Sequence, residues 1–109
     1  MKEIDFDEQI SFTDKKVKAE VLLESDYSRE IRLVLCDGQE MKEHRTRFPI
    51  VIHLLQGELL LGVKGKINRL KKGSMICLGP NVPHDLKAVQ DSVVRLSVAK
   101  FDVNNSTDG

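Results

Sequence analysis

Gly38-Gln39-Glu40-Met41-Lys42-Glu43-His44-Arg45-Thr46 and Gly73-Ser74-Met75-Ile76-Cys77-Leu78-Gly79-Pro80-Asn81-Val82-Pro83-His84 are two segments that each run from a glycine to a histidine. Between them the chain alternates short apolar runs with turn residues. Ile50–Leu55 is apolar except for His53 and ends at Gln56-Gly57. Glu58–Val63 and Ile67–Leu70 flank Lys64-Gly65-Lys66, which predicts a hairpin with glycine at its tip. Ser74–Leu78 is a further short strand, Gly79-Pro80-Asn81 a turn, and Val82–Ala88 extended.

The same pattern holds on either side. Val17–Leu23 and Glu30–Cys36 read as strands around an Asp26-Tyr27-Ser28 turn. Asp37-Gly38 marks a reversal, because glycine tolerates positive φ and Asp bonds its own backbone. Glu40–Arg47 reads as extended, and Pro49 forbids a helix at this point. Val93–Phe101 is the last strand. In residues 1–16, Ile4, Phe6, Ile10 and Phe12 anchor an extended arm, and Ile10 and Phe12 at period two suit a strand. Eight or nine short strands with no helix-period segment predict an all-β sandwich or barrel.

Composition excludes several classes of function. At 109 residues the chain holds one core. Lys plus Arg number 17 and Asp plus Glu 17, so no net field draws the protein to nucleic acid or anionic membrane. The acidic start, Met1 to Asp7, is not signal-peptide-like, and Leu59–Val63 is too short to span a bilayer. The expectation is therefore a cytoplasmic protein with no nucleic-acid or membrane partner. Cys36 and Cys77 fall in apolar runs without Cys-x-x-Cys spacing, and read as buried thiols. There is no phosphate-binding glycine loop and no nucleophile elbow.

The two segments resemble the paired motifs of the cupin superfamily. Gly38 precedes His44 by the five residues of the first motif, and Gly57 closes it. Gly73, Val82, Pro83 and His84 match the second in spacing and wording. The resemblance implies a single-domain cupin-type double-stranded β-helix, or jelly-roll barrel. The arm would occupy residues 1–16, the barrel 17–101, and a flexible tail 102–109.

Metal-binding cupins imply four ligands, three from the first motif and one from the second. Here His44 and His84 stand at two of those positions, while Thr46 and Ile50 replace the second histidine and the glutamate. Two neutral imidazoles can hold Zn, Ni, Cu or Fe, but stable sites recruit three or four ligands. Loss of the carboxylate removes the charge that would offset a cation. The residues thus favour a metal-free pocket over a bound Zn, Ni or Fe.

His44 and His84 are expected to face each other across a cavity with Thr46, Ile50, Ile52, Leu54 and Lys42 around it. Period-two alternation puts Lys42 and Glu40 on the face of His44, and Arg45 and Arg47 outside. Glu40 is then a candidate substitute ligand. Arg95 is a candidate to reach inward, and His53 is expected to point away from the cavity. Leu55, Leu59 and Leu61 are read as one apolar stripe left for a partner, which predicts a homodimer. The function these residues imply is binding of a small polar or anionic molecule. The rival is a metal-dependent dioxygenase or isomerase using His44 and His84, with metal-free acid–base catalysis by either imidazole as a third reading.

Overall fold

The computed structural model describes residues 1–101; the tail expected over 102–109 lies outside the described residues. Nine strands are present: β1 Lys18–Glu24, β2 Ser28–Leu35, β3 Glu40–His44, β4 Ile50–Gln56, β5 Glu58–Val63, β6 Lys66–Lys71, β7 Met75–Leu78, β8 His84–Ala88 and β9 Ser92–Ala99. They form two antiparallel sheets, β1-β2-β9-β4-β7 and β3-β8-β5-β6. This is the all-β two-sheet architecture that the turn spacing predicts, and the jelly roll that the motif resemblance implies.

The core follows from alternation. On β4, Ile50, Ile52 and Leu54 are buried while their neighbours Val51, His53 and Leu55 are only half-buried. Facing them, Leu59 and Leu61 of β5 and Leu86 and Ala88 of β8 close the same cluster. Each such leucine or isoleucine contributes about 1.5–3 kcal/mol by leaving water. The expected partner stripe is therefore corrected. Leu59 and Leu61 find places in this chain's own core, and only Leu55 stands on an outer face.

Two turns show why glycine is needed. Between β5 and β6 the loop is Lys64-Gly65, and both residues have positive φ, +54° and +76°. That is a type I′ hairpin turn, whose twist matches the strands it joins. Gly57 has φ +93°, and a Cβ there would collide with the Ser92 hydroxyl and the Asp91 carbonyl. The β4–β5 corner thus sits directly against the start of β9.

The N-terminal arm forms no strand, contrary to the expectation from Ile10 and Phe12. Residues 6–9 make a turn instead, with the Asp5 carbonyl accepting from the Glu8 amide at 3.2 Å. The cause is a long-range tether. Arg32 of β2, 2% exposed, donates to the carbonyls of Phe6 (2.5 Å), Glu8 (2.7 Å) and Gln9 (3.4 Å). It also forms a salt bridge with Glu20 at 3.0 Å and stacks over the Phe6 ring at 5.7 Å. One buried cation thus collects the turn's carbonyls, and the arm cannot also run straight.

The cysteines differ from each other. Cys36 is half-buried and its thiol donates to the Thr13 carbonyl at 3.3 Å. Desolvation, helped by Asp91 and Asp14, holds that thiol above its ordinary pKa. Cys77 is exposed, so the expectation of a second buried thiol is corrected. It lies opposite Val51, on the outer face of the sheet that carries Ile76 and Leu78 inward.

Candidate functional site

β3 and β8 lie side by side, and their ladder puts His44 directly opposite His84. The imidazole centroids are 4.4 Å apart with planes inclined by 55°. His84 is 3% exposed, and His44 is half-buried at the end of its strand. Leu86 and Ala88 follow His84 at period two on the same inward face. The pair therefore caps one end of the apolar core.

Each ring is held from behind in the same way. Nδ1 of His44 lies 3.0 Å from the Lys42 carbonyl, and Nδ1 of His84 lies 3.0 Å from the Val82 carbonyl. A carbonyl oxygen only accepts, so in the neutral imidazole the proton sits on Nδ1. Both Nε2 atoms then carry lone pairs. The result is one hydrogen-bond acceptor on each of two neighbouring rings, with tautomers set by the backbone.

A bulge creates half of this arrangement. Met41 pairs with Leu86 and His44 with His84, so three steps on β3 match two on β8. The extra residue breaks the alternation. Met41 and His44 both face in, while Glu40, Lys42 and Glu43 are exposed. Lys42 and Glu40 are thus corrected: neither shares the face of His44, and Glu40 is no substitute ligand. Lys42 contributes its carbonyl to the site rather than its ammonium group.

The remaining candidates are placed as follows. Thr46 lies in the loop after β3, where its hydroxyl donates to the Phe48 carbonyl at 2.8 Å and its own carbonyl accepts from the Asn81 amide at 2.7 Å. It joins the two loops beside the histidines. Ile50, Ile52 and Leu54 belong to the packed core. Arg45 and Arg47 are exposed, as alternation predicts, and Arg47 lies over the Phe48 ring at 5.3 Å. His53 points to the opposite face, between Met75 and Arg95 in the ladder.

Arg95 does not reach inward. It is half exposed on the outer face and forms a salt bridge with Glu30 at 2.8 Å. Burial pushes the Glu30 carboxyl up, but hydrogen bonds from Ser97 and Arg95 outweigh it and leave the group below its ordinary pKa. Arg32 is the residue that sequence reasoning missed. Its signal was a lone cation in the run Ile31-Arg32-Leu33-Val34-Leu35, where only a fully partnered guanidinium can be buried.

Among the described residues no group of three His, Cys, Asp or Glu side chains stands together to hold a metal. A divalent cation here would have His44 and His84 as donors, with no carboxylate beside them. That set falls short of the three or four ligands a resident ion takes. Five surface cavities of about 220–580 Å³ open elsewhere, and neither histidine lines any of them.

No protein-family model and no curated protein matches the chain. Solved structures do match it. An RmlC-like cupin protein from Desulfovibrio desulfuricans is 24% identical, with 91% of this chain and 96% of that one covered and a TM-score of 0.82. An RmlC-like cupin from Shewanella frigidimarina is 20% identical over 96% of both chains, with a TM-score of 0.78. KdgF from a Halomonas species is 13% identical over 87% of this chain and 90% of its own, with a TM-score of 0.75. These likenesses, spread over proteins with little shared sequence, are likenesses of fold.

Proposed function

We propose that this chain, which has the fold of the RmlC-like cupins, is a binding module whose ligand docks on the His44–His84 pair without a resident metal. The observation that supports it is the pair of Nδ1–H donations to the Lys42 and Val82 carbonyls, which leave an Nε2 acceptor on each of two rings whose centroids are 4.4 Å apart. Two acceptors select a ligand with donors, such as neighbouring hydroxyl groups or an ammonium group. A carboxylate alone offers only acceptors and would meet them lone pair to lone pair. Arg45, exposed next to His44 in the chain, suits an anionic group elsewhere on the same molecule. The ligand class is therefore a small hydroxylated acid.

Ring-nitrogen NMR of the labelled protein tests this reading. A hydroxylated carboxylate should shift the Nε2 signals of both histidines, a neutral polyol should shift them more weakly, and a plain alkyl carboxylate should not. His84→Ala should abolish the response at His44. If no member of the series moves either ring, the pair is not a ligand site and the reading fails.

A metal site is the second reading, because a ligating imidazole is held in the same way, with one nitrogen bonded to a carbonyl and the other free. Elemental analysis of protein purified without an affinity tag separates the two. Stoichiometric metal that His44→Ala removes would replace the binding module with a metal-dependent dioxygenase or isomerase.

A further inference from the structure

Two hollows adjoin on the outer face of the five-stranded sheet. The larger, about 460 Å³, is walled by Ile4 and Phe6 of the N-terminal arm and by Leu22 and Leu55 of the sheet. The smaller, about 220 Å³, is lined by Val51 of β4 and Met75 of β7. His53 and Arg95 line both, and the ladder sets them side by side on β4 and β9. A polar pair thus stands where two mainly apolar recesses meet. The larger recess falls within the range of about 300–1,000 Å³ that small-molecule sites occupy.

The pair keeps donors to spare. Arg95 donates through Nε to Oε1 of Glu30 at 2.9 Å, and its Nη2 lies 2.8 Å from the same oxygen. Its Nη1 has no partner among the described residues. Glu30 has nothing left to accept with, since its Oε2 takes the Ser97 hydroxyl at 2.7 Å. His53 is half-buried, yet neither ring nitrogen has a hydrogen-bond partner among the described residues. An imidazole carries at least one N–H in either charge state. The arm is fixed in place as well, because Arg32 holds both the carbonyl and the ring of Phe6. A cavity whose walls are set before binding loses less free energy to ordering them.

We infer that this junction is a second ligand site, separate from the histidine pair, and that it takes a monocarboxylic acid with an apolar body. The carboxylate accepts from Arg95 Nη1 and from the His53 ring, and the hydrocarbon lies against Ile4, Phe6, Leu22 and Leu55. Asp7 also borders the larger hollow, and its carboxylate has no partner among the described residues. It repels negative charge, so a dianion such as phosphate is disfavoured more than a monoanion.

Ring-nitrogen NMR of the labelled full chain, titrated with butanoate and hexanoate, is the test, since the three histidines report the two sites separately. Hexanoate should move His53 and leave His44 and His84 in place. Affinity should rise about fourfold per methylene as apolar surface leaves water. Arg95→Gln should weaken hexanoate by about tenfold or more. Ile4→Ala, at an exposed arm position, should weaken hexanoate more than butanoate, and Asp7→Asn should tighten both. Hexylamine should leave His53 unmoved. A still His53, three rings that move together, or an equal response to hexylamine overturns the inference. So does an affinity indifferent to chain length, to Arg95→Gln or to Ile4→Ala.

Discussion

Arg32 and the His44–His84 pair are polar features set among buried side chains that are mostly apolar, and they differ in what is left over. The guanidinium of Arg32 meets three carbonyls, the Glu20 carboxylate and the face of Phe6. Nothing remains for a ligand. Each imidazole has one nitrogen tied to a carbonyl and the other without a protein role in the arrangement just described. A buried polar group whose bonding capacity is used up stabilises the fold. A group with capacity to spare, placed at the end of a barrel, is available for chemistry.

The contrast is most exposed to failure at Arg32. Arg32→Ala removes the buried partner of Glu20 and of three arm carbonyls, and is expected to lose about 3 kcal/mol. That should lower the melting temperature by more than about 10 °C, read by calorimetry. The His pair should be untouched, with the ring-nitrogen signals of both histidines in place below the melt. If Arg32→Ala disturbs those signals in the folded protein, the two features are one network and the contrast is wrong.

Removal of residues 1–9 should be milder, about 1–2 kcal/mol, because water can replace the lost carbonyls at Arg32. Denaturant titration measures it. A loss as large as that of Arg32→Ala would mean the arm, not the cation, carries the stability.

His84→Ala should be milder again, about 1 kcal/mol by the same titration, while the ligand response disappears. A loss of several kcal/mol would class the pair with Arg32 as structural.

The smallest effect concerns a surface charge. Hydrogen bonds from Lys100 and then Arg29 lower the Glu24 carboxyl to a pKa of about 2 from 4.5. A carboxylate depressed in the folded state stabilises above its unfolded pKa and loses that contribution as protons bind. The contribution should therefore fade between pH 4.5 and about 2, and Glu24→Gln should flatten the acid limb of the stability curve there. Because the group is exposed, solvent screens the pair and the change will be slight.

Much of the frame was legible in the chain because it depends on local rules. The Lys64-Gly65 turn, the inward Ile50, Ile52 and Leu54, and the outward His53 follow from glycine conformations and strand period. The juxtaposition of His44 with His84 was expected from a resemblance of motifs, and β3 and β8 bring the two together. What escaped depends on contacts between distant residues. Arg32 reaches back 24 and 26 positions to bend the arm. Arg95 meets a carboxylate 65 positions earlier and so stays outside. Leu59 and Leu61 looked surplus only until the second sheet was closed over them. The faces of Lys42 and Glu40 were misassigned for a different reason, since strict alternation cannot know where a strand is irregular.

That irregularity means that distance along the chain and distance along the ladder are separate quantities at this site. From Met41 to His44 the chain takes three steps where its partner strand takes two. A relative lacking one of those residues would present its histidine to the same neighbour through a plain ladder. It would, however, change which carbonyl stands two residues before the ring, the place Lys42 fills here. Length variants at positions 42 and 43 are therefore informative in a way substitutions are not. They separate where an imidazole stands from which of its nitrogens it offers, and a search pattern that demands five residues after the glycine would pass over such a chain.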